Sequence, residues 1–194
     1  MTPNQRYWYL DEIVNQAIAA SVAFSEIERR VQDPQTRQTL LVWTSISSFL
    51  AHAGVVSKIL FPSGSQTRAN ELKQTIQIES LPNLMCRAGR DNIEHIDERI
   101  DFWASVDRGK MVTMVFDDRK GLERLCDDQT AVRRALIADE MVYVSEGRRG
   151  ERAETSLVAL RDELEGVKDA SVRAMSVDPP YHFVFATALD AYRR

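Results

Sequence analysis

From Thr39 to Ser57 the chain carries no formal charge. Leu41, Trp43, Ile46, Phe49, Leu50 and Val56, with Ile59 beyond, spread nearly all round a helix built on this run. A helix apolar on every side belongs in the middle of a bundle, because no face of it prefers water. The run is also near the minimum length for crossing a bilayer. Thr44, Ser45, Ser47, Ser48, His52 and Ser57 interrupt it, however, and Thr44, Ser47, Ser48 and Ala51 form a weakly polar strip. The expectation is a buried helix of a cytoplasmic protein with no membrane partner. Asp33-Pro34 marks its start, since Asp caps a helix and Pro is harmless in a first turn. The helix is therefore predicted over about 34–60, closed by Pro62-Ser63-Gly64-Ser65.

Around this helix the other elements are placed by their spacing. Leu10, Ile13, Val14, Ala17, Ile18, Val22 and Phe24 recur every three or four residues and predict a first helix from Tyr7 to about Val31. A shorter, more polar helix is expected from about Gln66 to Ile78, with a break after it at Leu81-Pro82-Asn83. From Leu84 to Val106 the apolar residues Met85, Ile93, Ile96, Ile100 and Trp103 fall on one stripe of a single amphipathic helix, ended by Asp107-Arg108-Gly109. Gly89 lies on the same stripe, where a glycine costs about 1 kcal/mol relative to alanine. Close approach of another helix at that level is the expected reason.

After Gly109 the period changes. Met111 to Phe116 is a short β-branched run closed by Asp117-Asp118 and reads as a strand. Gly121 to Gln129 is ambiguous, with a single helical turn as one reading. Between Val132 and Ser145 two apolar runs flank Ala138-Asp139-Glu140, which favours a hairpin over a helix spanning 131–141. Gly147-Arg148-Arg149-Gly150 is a basic turn, and Glu151 to Val167 reads as a last helix carrying Leu157, Leu160 and Leu164. Pro179-Pro180 and the aromatic group Tyr181, Phe183 and Phe185 belong to a tail. The predicted fold is mainly α: a four- to five-helix bundle with a small antiparallel β element after the central helix. It forms one domain over 1–168, with the β-hairpin region at about 110–146 and a partly ordered tail over 169–194.

The 194 residues suffice for a core without disulfides or metals. The net charge of -4 gives no global basic footprint for nucleic acid, so a polyanion would need a local patch. Met1 to Asp11 has no apolar segment behind a basic start, so no secretory signal is expected. Cys86 and Cys126 are far apart without metal spacing and are expected as reduced thiols. His52, on the apolar helix, is expected as a hydrogen-bonded core or interface residue, and His182 as a surface or packing residue. Three histidines without paired spacing argue against zinc. Glu94, Asp97, Glu98 and Asp101 have no matching acidic set opposite, so no metal and no cofactor are expected. Arg148, Arg149 and Arg152 form a basic loop of the kind that usually serves solubility.

Chemistry is hinted at in one place. Arg90-Asp91-Asn92-Ile93-Glu94-His95 is an arginine, four residues and a histidine, with a polar residue directly after the arginine. This resembles the signature of HEPN domains (higher eukaryotes and prokaryotes nucleotide-binding). The continuation through Asp97-Glu98-Arg99-Ile100-Asp101 and Trp103 is similar to a helix of uncharacterised bacterial HEPN-like proteins, and the layout from Tyr7 to Val167 is similar as well. The resemblance implies a small helical bundle that commonly dimerises and, in many members, a metal-independent endoribonuclease. His95 would be the acid/base and Arg90 the phosphate-stabilising cation, with Asp91 and Glu94 in support. Asp91 stands where the family often has asparagine, and its charge would weaken the binding of a neighbouring phosphate.

Spacing adds a constraint of its own. Five residues apart, Arg90 and His95 are separated by about 140° on a straight helix and cannot converge on one atom. A shared site therefore needs a second copy, so a homodimer through the Leu84–Val106 helix is the expected partner; RNA is the substrate that the resemblance implies. RNA brings its own 2′-OH nucleophile, leaving a base, an acid and a cation for the protein to supply. The alternative is a non-catalytic helical interaction protein, since a dense run of i,i+4 charge pairs is also what a solvated face looks like.

Overall fold

The chain enters its first helix, α1 (Pro3–Gln32), through a capping box: Thr2 Oγ1 accepts from the Gln5 amide at 3.2 Å and Gln5 Oε1 from the Thr2 amide at 3.0 Å. The helix thus begins ahead of Tyr7, in a stretch whose start signal is polar rather than periodic. The computed structural model describes residues 1–78, 80–106, 110–126, 130–147 and 150–177. The expectations for Asp107–Gly109, for Arg148 and Arg149, and for the tail from 178 onward, including His182, lie outside the described residues.

Asp33 does act as a cap, accepting from the Gln35 amide at 2.9 Å, but the segment it caps is only a turn. The uncharged helix, α2 (Leu40–Leu60), starts afresh at Thr39, whose hydroxyl accepts from the Leu41 amide. It is long and apolar enough to cross a membrane, yet over half of its most apolar window is buried within the protein. α1 packs along α2 on one side and along the last helix, α8 (Leu157–Val177), on the other. Phe24 and Phe49 meet between α1 and α2 with ring centroids 5.5 Å apart. Leu10, Ile13, Phe24, Ile46, Phe49, Leu72, Leu84, Leu157 and Leu164 belong to one continuous core. α3 (Gln66–Ile76) is slightly shorter than expected, ending where Gln77 takes a left-handed conformation.

The Leu84–Val106 segment departs most from expectation. It is not one helix but three short ones: α4 (Pro82–Met85), α5 (Ala88–Glu94) and α6 (Ile96–Ser105). His95 is the joint, with φ -115° and ψ 40°, outside the helical region. The Met85–Trp103 stripe exists only on an unbroken helix, and it does not face the core as a unit: Met85 is 57% exposed and Ile100 48%, while Ile93 packs against the core. Beside Leu84 and Trp103, what the segment buries is polar: Arg90, Asn92 and Arg99. The N-terminus of α4 is capped from α8: Glu163 accepts from the backbone amides of Asn83 at 2.9 Å and Leu84 at 2.8 Å.

The β element has four strands rather than a hairpin alone: β1 (Lys110–Phe116), β2 (Thr130–Ile137), β3 (Val142–Glu146) and β4 (Arg152–Ser156), in that spatial order. The hairpin over 132–145 is present as antiparallel β2 and β3. The sheet is mixed, because β1 and β2 run parallel, linked through α7 (Arg119–Leu125). Parallel pairing needs a crossover, and the ambiguous 121–129 stretch contributes to it. β2 skips Arg133 between the pairs Val112–Val132 and Thr113–Arg134, and Glu146 accepts the Val132 amide beside this bulge at 3.0 Å. β4 occupies residues expected to start the last helix, and α8 runs unbroken through residues 168 and 169 to Val177. Ser156 starts α8 by accepting the Ala159 amide at 3.2 Å.

Candidate functional site

Arg90 lies on α5, which packs against α2 and the β3–β4 end of the sheet. Its side chain crosses the backbone of Gly54 on α2 so closely that a Cβ there would overlap Arg90 Cδ. Gly54 is the glycine that permits this approach, and it costs α2 helix propensity to do so. The guanidinium, 8% exposed, donates from Nη2 to Asp91 Oδ1 at 2.6 Å and from Nε to the same oxygen at 3.0 Å. Its Nε is also 3.7 Å from Glu94 Oε1, which lies 3.2 Å from Lys58 Nζ on α2. Arg90 is thus compensated by two carboxylates and pinned against a helix.

His95 sits at the joint itself. Its side chain is 53% exposed, and Nδ1 is 3.4 Å from Glu98 Oε1 one turn on. Of the four expected site residues, the structure brings Arg90, Asp91 and Glu94 together and turns His95 away. Among the described residues no hydrogen bond or ion pair joins Arg90 to His95. The carboxylates of Asp91, Glu94 and Glu98 surround the two motif residues, so this surface repels a phosphate more than it attracts one.

Gly89, on the turn before Arg90, is indeed at a close approach, but its neighbour is the sheet rather than a helix. A Cβ on Gly89 would lie 2.6 Å from Thr155 Oγ1 on β4 and 3.5 Å from Tyr143 on β3. Behind Arg90 and Gly89 lies a cavity of about 20 Å³ bordered by Ser57, Thr155, Leu50 and Leu160, enough for one water molecule. Ser57 Oγ and Thr155 Oγ1 are both buried here without a hydrogen-bond partner. Compared with known proteins, the chain matches no family model, no curated protein and no solved structure.

The side chains that organise this region were not visible as site residues in the sequence. Asn92 Nδ2 donates to Ser145 Oγ on β3 at 2.8 Å, and Arg99 Nε donates to Asn92 Oδ1 at 3.0 Å. Arg99 on α6 is thereby tied to α5 and the sheet from the buried side. The available signals were a glycine inside an apolar helix at Gly54 and the spacing of Asn92 and Arg99, which returns to the same face after two turns. His52 is half-buried, with Nδ1 2.7 Å from Gln16 Oε1 on α1, in keeping with a hydrogen-bonded histidine between helices. Cys86 is exposed and Cys126 buried. Among the described residues no three His, Cys, Asp or Glu side chains gather as metal ligands.

Proposed function

We propose that this chain is a HEPN-like helical protein that works by contact rather than by cleavage, pairing with a second copy of itself through the surface around the α5–α6 joint. The observation that carries this reading is the state of Arg90. Buried over Gly54 and bonded to Asp91, with Glu94 close by, it acts as a fastener between α5 and α2. Freeing it for a phosphate would strip a buried cation of its partners, which is costly. Exposed Ile100 on α6, 48% accessible, suits a contact role.

A second reading, a dimeric metal-independent endoribonuclease, is favoured by one observation. His95 is exposed, and its Nδ1 lies 3.4 Å from a Glu98 carboxylate oxygen that can orient the ring for proton transfer. One experiment separates the two. Purified protein is incubated with mixed RNA in EDTA across a range from about pH 5 to 9, where a histidine changes charge, alongside His95→Ala. The contact reading expects no cleavage by either protein and a dimer on a sizing column that Ile100→Glu dissociates. Cleavage lost in His95→Ala would replace it with the nuclease, and a monomer at all concentrations would defeat the pairing in both.

A further inference from the structure

On a different part of the molecule from α5 and α6, a groove of about 690 Å³ runs between the first turns of α1, the C-terminal end of α3 and the second half of α8. That size lies in the range of sites for small organic molecules, about 300–1,000 Å³. Ile76, Leu81, Ala170 and Ala174 give it apolar walls, and Arg6 and Arg173 reach it from opposite elements. Among the described residues neither guanidinium forms an ion pair, a state they share with Arg68, Arg87 and Arg134. Arg6 Nε is buried with no hydrogen-bond partner. Glu163, the acid bordering the groove, is already engaged by the Asn83 and Leu84 amides and by Asn83 Nδ2.

A second observation comes from the wall. Gly166 lies inside α8, where glycine costs about 1 kcal/mol relative to alanine. A Cβ built there would have nothing within 4 Å. Unlike Gly54 and Gly89, it makes room for no neighbour within the described fold; the room it leaves opens into the groove.

We propose that this groove binds a small amphipathic anion: an apolar chain lying over Gly166 along α8, with a carboxylate head held by Arg6 and Arg173. Two cations with no counter-ion among the described residues, set at an apolar trough, recognise that chemistry and reject its cationic counterpart. The site is independent of the α5–α6 surface and of the function proposed there.

The test uses the full chain titrated with sodium octanoate, octylammonium and acetate by calorimetry and methyl NMR. Octanoate is expected to bind saturably at one site and to shift the Ala170 and Ala174 methyl resonances, while the other two do not bind. Arg6→Gln and Arg173→Gln should each weaken binding about fivefold or more. Gly166→Leu should abolish it while leaving the thermal midpoint unchanged or raised. No saturable octanoate binding, equal binding of octylammonium, or binding that survives Gly166→Leu in a folded protein would overturn the proposal.

Discussion

Arg99 reaches back across the joint at His95 and donates from Nε to Asn92 Oδ1 at 3.0 Å, with both residues 5% exposed. Asn92 passes the restraint on to Ser145 of β3. The break between α5 and α6 is therefore bridged on its buried side by a side chain from each helix, and the angle between them is set by hydrogen bonds rather than by apolar packing. A buried polar chain of this kind specifies one arrangement and is expensive to interrupt. Arg99→Leu leaves Asn92 Oδ1 buried and unsatisfied, at a cost of about 2 kcal/mol. Urea denaturation should show this loss, and hydrogen exchange should rise selectively over residues 92–99. Exchange raised equally throughout the chain would mean that the bridge does not hold the joint.

Gly54 and Arg90 form a matched pair. Because the missing Cβ is where Arg90 Cδ passes, Gly54→Ala has to displace a side chain anchored by Asp91 and Gly54's own carbonyl. Overpacking of this kind costs about 1–3 kcal/mol. Shortening the arginine removes the obstacle, so Gly54→Ala in an Arg90→Ala background should cost nothing further or regain helix propensity. A double-mutant cycle in thermal unfolding reads the difference directly, and additive effects would refute the pairing.

Gln38 closes one position of the sheet's open edge. Its amide donates to the Val115 carbonyl at 2.7 Å and accepts from the Val115 N–H at 3.1 Å, as a neighbouring strand would. β1 is an edge strand, and exposed Met111 and Met114 accompany it. Unguarded edges invite pairing with other chains. Gln38→Ala is expected to lose about 1–2 kcal/mol of stability and to increase concentration-dependent association in sedimentation. Unchanged sedimentation would show that the guard is unnecessary.

These relationships explain which parts of the fold could be read in advance. α1 and the β2–β3 hairpin announce themselves because each buries a patterned apolar set, α2 because it is apolar nearly all round, and β1 through its β-branched run, although its Met111 and Met114 are exposed. α5 and α6 bury arginines and an asparagine, and a buried polar residue looks in the sequence like a solvated one. The apolar stripe drawn through Met85, Ile96 and Ile100 assumed a straight axis, which the joint at His95 destroys. β4 carries almost no apolar signal: Arg152, Ala153, Glu154, Thr155 and Ser156 read as a helix start, and its place is fixed by pairing with β3. Parallel pairing of β1 and β2 is a non-local fact that no local pattern encodes. At the site, Arg90 and Glu94 were legible as i,i+4 neighbours, whereas the bond of Asp91 to Arg90 was not read from the spacing, and Gly54, Thr155 and Ser145 come from elements distant in the chain.

Tyr143 connects the sheet to the site and supplies a pH signature. It sits on β3 between Leu136 and Thr155, is 2% exposed, and its ring lies beside Gly89. Burial disfavours the phenolate and pushes its pKa up to about 12, despite Arg134, Ser145 and Arg133 pulling the other way. In the unfolded chain the same phenol titrates near about 10. Between those values the folded state holds a proton that the unfolded state has released, so stability declines as pH rises. The contribution is complete below about pH 10 and is lost as pH climbs through about 12, amounting to about 2–3 kcal/mol. Tyr143→Phe keeps the ring and removes the ionisation. Its unfolding free energy, measured between about pH 9 and 12 to span both titrations, should fall less steeply than that of the wild-type chain. Identical slopes would place the alkaline weakness elsewhere, and a Tyr143 absorbance titration with its midpoint at the ordinary phenol value in the folded protein would show that the ring is wetter than its packing implies.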